Sequence, residues 1–315
     1  MLNLLRTHVS SKLKFNAKIM LFGEYTILHK SDALLIPLSH FYGALDFLSK
    51  NETISLNQLE SHKSIHNFYN HLQRALPNSE MEKLINLNQL KSDIDKGLYF
   101  NSSIPIGYGA GSSGALTAAI FSKYYKKNND IQKDENLPVL RKKLAFLESY
   151  FHGKSSGLDS LTCFLNKGVY VHNDDLKVEN VNYTIFHPFI IDTDKARLTG
   201  EYVKMYNEKC SNPEYFKIIT ETVISANNQC INYLKKGDTL NFFPCLKKLS
   251  TLQLAYFKEM VLPEYEALWK MGLESDNFYL KLCGAGGGGF ILGFTPNINE
   301  TTKLLDEHNI KIIEV

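Results

Sequence analysis

Residues 104–119 read IPIGYGAGSSGALTAA, a run in which Gly107, Gly109, Gly111 and Gly114 crowd together just ahead of an alanine- and leucine-bearing segment. Glycine loses more conformational freedom on folding than any other residue. A chain accepts that loss where the backbone must pass through positive φ or come very close to another group. The segment that follows, 113–126, is apolar at Leu116, Ala119, Ile120 and Tyr124, the spacing of a helix packed on a neighbour. A glycine loop opening a helix offers unpaired N–H groups at the positive end of the helix dipole, which makes an anion site. Ser112 and Ser113 add hydroxyls suited to a phosphate or to a magnesium ion bound to it. A turn that merely lets helix and strand pack closely is the other reading of the same glycines. The spacing is neither GxxxxGK[ST] nor a dinucleotide fingerprint, which needs an acidic residue about 20 positions further on.

A second cluster, LCGAGGGGF at 282–290, brings the total to nine of the 19 glycines in two short segments. Around them the hydrophobic pattern predicts strands over 15–22 (FNAKIMLF), 42–48, 98–102, 168–172, 185–192, 278–282, 290–294 and 310–314. It predicts helices over 62–76, 82–95, 113–126 and 299–307, a helix opened by Asn136 and Pro138 and running to Phe151, and a largely helical stretch over 199–270. No repeat is visible, and a boundary near residue 183 divides 1–182 from 183–315. A length of 315 residues suits two lobes with a cleft between them.

Composition excludes several classes. Hydrophobic residues are 44%, charged residues 22% and the net charge +2, so no basic nucleic-acid footprint is expected. No apolar run approaches the ~20 residues of a membrane span, and the segment from Met1 to His8 makes a poor secretory signal. The expectation is a cytoplasmic protein with neither membrane nor nucleic acid as partner. The five cysteines show no CxxC pair or metal-ligand rhythm and read as reduced, mostly buried thiols.

Three charged residues stand out. Glu148 lies beside the stripe Leu140, Leu144, Leu147 and Phe151, which turns its carboxylate toward the helix's interior edge. A carboxylate there is costly unless paired or bound to metal. Asp159, just after Gly157, fits a helix cap as well as a catalytic acid or base. Lys18 falls in the first strand, where an inward-facing charge is unusual and an exposed strand end is the plainer reading. Phosphoryl transfer to an alcohol needs charge neutralisation on the phosphates, an in-line oxygen and a proton acceptor, and these residue types supply all of them.

At this point the chain resembles a known family. PIGYGAGSSGALTAA, KLCGAGGGGFILGF (281–294) and AKIMLFGEYTILHKSDALLIPL (17–38) are similar to the second, third and first signatures of the GHMP kinases, the superfamily of galactokinase, homoserine kinase, mevalonate kinase and phosphomevalonate kinase. ESYFHGKSSGLDS (148–160) resembles the mevalonate kinase segment that runs from a magnesium-binding glutamate to a catalytic aspartate. The resemblance implies an α+β fold of two domains, the first like domain 2 of ribosomal protein S5 and the second ferredoxin-like. It implies ATP and Mg2+ as cofactors and a small-molecule alcohol as substrate, mevalonate first, phosphorylated to 5-phosphomevalonate for isoprenoid precursors. By it Asp159 is the base, supported by Lys18, and Ser113 with Glu148 holds the metal. Pro105, Gly107, Tyr108, Gly109, Ala110, Gly111, Ser112, Ser113 and Gly114 then surround the phosphates, and Glu24, Tyr25, His152, Thr199, Gly286 and Gly287 stand on the substrate side. The chain departs from the pattern at FNAK, where a proline-glycine usually precedes the lysine, and at Tyr25, which replaces a common histidine. Phosphomevalonate kinase, a sugar kinase and a catalytically silent nucleotide-binding regulator stay open as alternatives, as does assembly into a homodimer.

Overall fold

FNAKIMLF folds as β1 (Phe15–Phe22), with both faces largely covered, which is why its apolar residues run on instead of alternating strictly. It pairs antiparallel with β2 (Ala33–Phe47), setting Lys18 opposite Pro37 and Met20 opposite Leu35. Completing this antiparallel sheet are β3 (Leu98–Ser102), β4 (Gly168–His172) and β5 (Asp175–Glu179), in the order β1-β2-β4-β5 with β3 also on β2. The protein is seen here as a computed structural model that describes residues 12–49, 53–77, 79, 81–126, 136–180, 182–196 and 199–315.

Helices α1 (Leu56–Ala75), α2 (Leu87–Asp95), α3 (Ser112–Tyr124), α4 (Leu137–His152) and α5 (Leu158–Leu165) accompany that sheet. From Gly114 to Phe121 every residue of α3 is buried, so the helix lies in the core rather than on it. Gly114 is required there. A Cβ at that position would sit 2.9 Å from the Ser160 amide nitrogen, so a side chain would drive α3 off α5.

A second antiparallel sheet holds β6 (Pro188–Asp192), β7 (Tyr279–Leu282), β8 (Phe290–Phe294) and β9 (Ile312–Glu314) in the order β7-β8-β6-β9. Between β6 and β7 run α6 (Thr199–Cys210), α7 (Pro213–Ile218), α8 (Ile224–Lys236), α9 (Thr239–Tyr256) and α10 (Pro263–Ser275); α11 (Ile298–Glu307) joins β8 to β9. Strand, helices, two strands, helix and strand in that sheet order form the ferredoxin-like arrangement.

Several boundaries differ from the sequence reading. β2 starts at Ala33, not at 42, because Pro37 lies among residues 36–42, which pair with neither β4 nor β3 and so tolerate a missing N–H. α1 starts at Leu56, not at 62, through a capping box in which Ser55 and Gln58 bond each other's backbone. The helix expected over 82–95 starts only at Leu87, capped by Asn86. The strand expected from 185 starts at Pro188, after a short 3-10 turn over Tyr183–Phe186.

The two sheets meet along an aromatic seam. Phe22 stacks on Phe294 with ring centroids 5.7 Å apart, and Phe41 stacks on Phe290 at the same spacing. The Asn227 side-chain amide donates to the Asp32 carbonyl at 2.9 Å. Within the seam Lys281 Nζ donates to Glu24 Oε1 and to the Leu282 carbonyl, each at 2.7 Å, and the side-chain exposures of the two ions are 0% and 1%. Removing one partner of such a pair strands a charge away from water. Lys281→Met is therefore expected to lower stability by about 3–5 kcal/mol, and Lys281→Met with Glu24→Gln to recover part of that loss in urea unfolding. A double variant no more stable than Lys281→Met would refute the pairing as the cause.

Candidate active site

Lys18 is buried, at 5% exposure, because the glycine loop lies directly across it. Its backbone N–H donates to the Ala110 carbonyl at 2.9 Å, tying β1 to the loop. The loop passes Gly107, Gly109 and Gly111 with φ of 82°, 68° and 77°, a region where only glycine sits at little cost. Gly111 has a second reason to be glycine, since a Cβ there would stand 2.8 Å from the Lys18 Cγ. So guided, the lysine stem delivers Nζ to Asp159 Oδ2 at 2.7 Å. Asp159 lies in the first turn of α5, where the helix dipole favours a carboxylate, and about a third of its side chain is exposed.

Glu148, on the last turns of α4, is only 2% exposed. The Ser155 and Ser160 hydroxyls donate to its Oε2 at 2.6 and 3.1 Å, while the Ser113 hydroxyl approaches Oε1 at 3.5 Å. His152 Nε2 lies 2.9 Å from the Ser113 oxygen. Burial pushes the Glu148 carboxyl up from its ordinary range, and the Asp159 charge pushes the same way; the two serines and Lys18 oppose them. Two carboxylates and a hydroxyl converging on one space form a hard-oxygen donor set. No group of three His, Cys, Asp or Glu residues suited to a metal occurs among the described residues. One or two carboxylates completed by phosphate oxygens suit magnesium, which rarely takes an all-protein cage, so Ser113 and Glu148 fit that ion.

These groups stand at one end of a cleft of about 1010 Å³. Asp159, His152, Ser112, Ser113 and the loop glycines line this end, and α1 with β3 lines the other, through Gln58, Ser61, Tyr99 and Asn101 among others.

The second glycine run lies behind the loop. A Cβ on Gly289 would stand 2.8 Å from the Tyr108 carbonyl oxygen, so its backbone packs directly on the loop. Gly286 and Gly287, expected on the substrate side, instead abut Met260 and Tyr202, and Gly287 N–H donates to the Met260 carbonyl at 2.6 Å. Glu24 and Tyr25 also leave the cleft. Glu24 is committed to Lys281, and Tyr25 tucks its ring against Tyr206 and Phe257 and donates its hydroxyl to the Ala285 carbonyl at 2.5 Å. Thr199 begins α6, and its side chain lies outside the described residues. The structure thus brings together Lys18, Asp159, Glu148, Ser113 and His152.

Sequence reasoning missed Ser155, Ser160, Lys281 and the far end of the cleft. Ser155 and Ser160 follow Glu148 across a glycine turn, a weak signal in hindsight. Lys281 interrupts the otherwise apolar strand YLKL, and α1 announces its start by Ser55-x-x-Gln58.

Comparison with known proteins accords with this geometry. Residues 67–168 match the family model for the GHMP kinases N terminal domain. Mevalonate kinase from Arabidopsis thaliana is 24% identical over 229 residues, an alignment that takes in 66% of this chain and 58% of the plant protein. The crystal structure of Methanococcus jannaschii mevalonate kinase superposes with a TM-score of 0.63 at 20% identity, covering 97% of this chain and 98% of that one. Streptococcus pneumoniae phosphomevalonate kinase, in complex with phosphomevalonate and AMPPNP, superposes with a TM-score of 0.60 at 12% identity, over 96% and 99% of the two chains. Residues 67–168 thus match the GHMP kinases N terminal domain, and the likeness of the chain to the solved mevalonate and phosphomevalonate kinases is one of fold over nearly its whole length.

Proposed function

We propose that this chain moves the γ-phosphoryl group of ATP to the hydroxyl of a small alcohol, with mevalonate the first candidate acceptor. The carrying observation is the Lys18 and Asp159 ion pair, set at 2.7 Å beside a glycine loop that opens a helix. In this reading residues 1–182 form the domain that binds phosphate and 183–315 the ferredoxin-like domain behind it. The triphosphate lies along residues 107–113, held by backbone N–H groups, and the nucleoside extends toward α1 and β3.

Chemistry then follows from charge. The acceptor hydroxyl gives its proton to Asp159 as its oxygen attacks the γ-phosphorus, and the bond to the ADP oxygen breaks in line. Lys18 holds the Asp159 carboxylate in place through the ion pair and offsets charge on the equatorial oxygens during transfer. Ser113 and Glu148 would hold magnesium, which would supply charge neutralisation on the phosphate oxygens when bound. No described helix is long and apolar enough to cross a membrane.

Because phosphomevalonate kinases share the fold, the acceptor is tested by panel. ADP release is measured with mevalonate, phosphomevalonate, galactose and homoserine, and turnover with mevalonate above the others is expected. ATP binding with no turnover on any of the four would instead favour a silent regulator. Asp159→Asn is expected to lower kcat about 10²- to 10⁴-fold, or about 3–5 kcal/mol of barrier, with nucleotide affinity measured calorimetrically close to wild type. A loss of nucleotide affinity in place of kcat would contradict the role of base.

Metal binding should depend on pH. Since burial raises the Glu148 pKa above its ordinary 4.5, the ligating carboxylate is lost earlier in acid than a free glutamate would be. Magnesium affinity, titrated with AMPPNP present, should therefore fall as pH drops toward that raised value, and Glu148→Gln should weaken it at every pH. A flat profile would argue against Glu148 as ligand.

A further inference from the structure

Tyr108 sits inside the glycine loop, between Gly107 and Gly109, yet its side chain is not part of the cleft lining. It turns the other way, toward the second sheet. Its ring meets Phe290 edge to face, with centroids 5.1 Å apart and planes at 67°, and Phe290 is in turn stacked on Phe41 of β2. The backbone of Gly289 presses on the Tyr108 backbone so closely that any Cβ would collide with it. Gly289 itself is held from both sides: its N–H donates to the Lys195 carbonyl at 2.6 Å, and its carbonyl accepts the Thr193 hydroxyl at 2.7 Å. The Tyr108 hydroxyl faces the Asp192 carboxylate at the end of β6. Burial above all, then the charge of Asp192 and a hydrogen bond to it, pushes that phenol up from its ordinary range, and the charge of Asp194 adds to this.

We propose that Tyr108 is a positioning residue, which clips the glycine loop to the β6 and β8 ends of the second sheet and so pre-arranges its N–H groups for a phosphate chain. The argument is conformational. A loop with glycine at 107, 109 and 111 explores far more backbone states than one built from other residues. Only a fraction of those states can receive a triphosphate, and apparent affinity falls in proportion to that fraction. An aromatic anchor between two such glycines, pointing away from the ligand, restricts the loop without occupying the site.

This proposal rests on the reading that the loop binds nucleotide, so the test carries one measurement that needs no ligand. Hydrogen exchange of amides 107–113 is followed in the nucleotide-free protein for wild type, Tyr108→Phe and Tyr108→Ala. AMPPNP affinity is then measured for the same proteins, for Asp192→Ala and for Tyr108→Phe with Asp192→Ala. Exchange is expected to quicken in Tyr108→Ala, and affinity to weaken about 10-fold if the competent fraction drops to about a tenth. Tyr108→Phe should show a smaller loss, and the double variant no more than the larger of its two singles. In steady state the loss should fall on KM for nucleotide, with kcat at saturation following wild type. Unchanged loop exchange in a folded Tyr108→Ala protein would overturn the clip, as would a fall in kcat with affinity intact. If wild type fails to bind AMPPNP, the nucleotide reading fails separately, and the exchange data still decide whether the clip exists.

Discussion

The ion pair between Lys18 and Asp159 joins the first strand to the start of α5 across the glycine loop, and the local structure is arranged around keeping its two ends 2.7 Å apart. The lysine end is fixed by β1, whose amide at 18 is bonded to the loop at Ala110, and by the absence of a side chain at Gly111. The aspartate end is fixed by α5, which begins at Gly157 hard against the Arg141 carbonyl, where a Cβ would stand 2.4 Å from that oxygen. A strand, a loop and two helices therefore meet at one charge pair. Displacing any of them would either separate the ions or bury one alone, which is the costlier outcome in a site this enclosed.

Charge balance explains the serines nearby. Counted as formal charges, two carboxylates against one ammonium leave the cluster one negative charge in excess, close to where the proposed triphosphate would add more. Ser155 and Ser160 stabilise the Glu148 carboxylate by donation, which partly offsets the burial that would neutralise it. Under the proposed function, a divalent cation would supply the charge that the protein groups leave uncompensated. The loop N–H groups would then meet the phosphates from the opposite side, with attraction for an anion and for a cation in adjacent walls of one cleft.

Much of this was legible in the sequence, for reasons that differ by residue. The loop announced itself because backbone geometry forces glycine at fixed positions, and a forced residue type is the strongest local signal a sequence holds. Glu148 stood out by its place beside the apolar stripe of its helix, a short-range relation, whereas Asp159 fitted a helix cap as well and took its role only from the resemblance of residues 148–160 to the mevalonate kinase segment. The Glu24 and Lys281 pair was not, because it joins residues 257 apart whose strands belong to different sheets. β2 was read short, from 42, and its earlier half carries Pro37, which the gap between β4 and β3 in the pairing pattern makes acceptable in a strand. The far side of the cleft stayed hidden for a similar reason: Gln58, Ser61, Tyr99 and Asn101 are ordinary polar residues until α1 folds beside β3.

The departure from the family pattern at residue 25 shows how a substitution can mislead when its surroundings are unknown. Read in one dimension, a tyrosine in place of histidine beside a signature glutamate suggests altered acceptor recognition. In three dimensions Tyr25 turns into the seam, where its ring lies 4.8 Å from that of Tyr206 and 5.6 Å from that of Phe257, and its hydroxyl closes on the Ala285 carbonyl in the second glycine run. An aromatic ring with a hydroxyl at its tip fills apolar space and reaches a backbone acceptor at once, a pairing of tasks that suits tyrosine in a buried joint. The change at 25 therefore acts on how the two sheets are fastened. Under the proposed function, selectivity for the acceptor would reside in the side chains that face Asp159, since only groups in that space can distinguish one alcohol from another by direct contact.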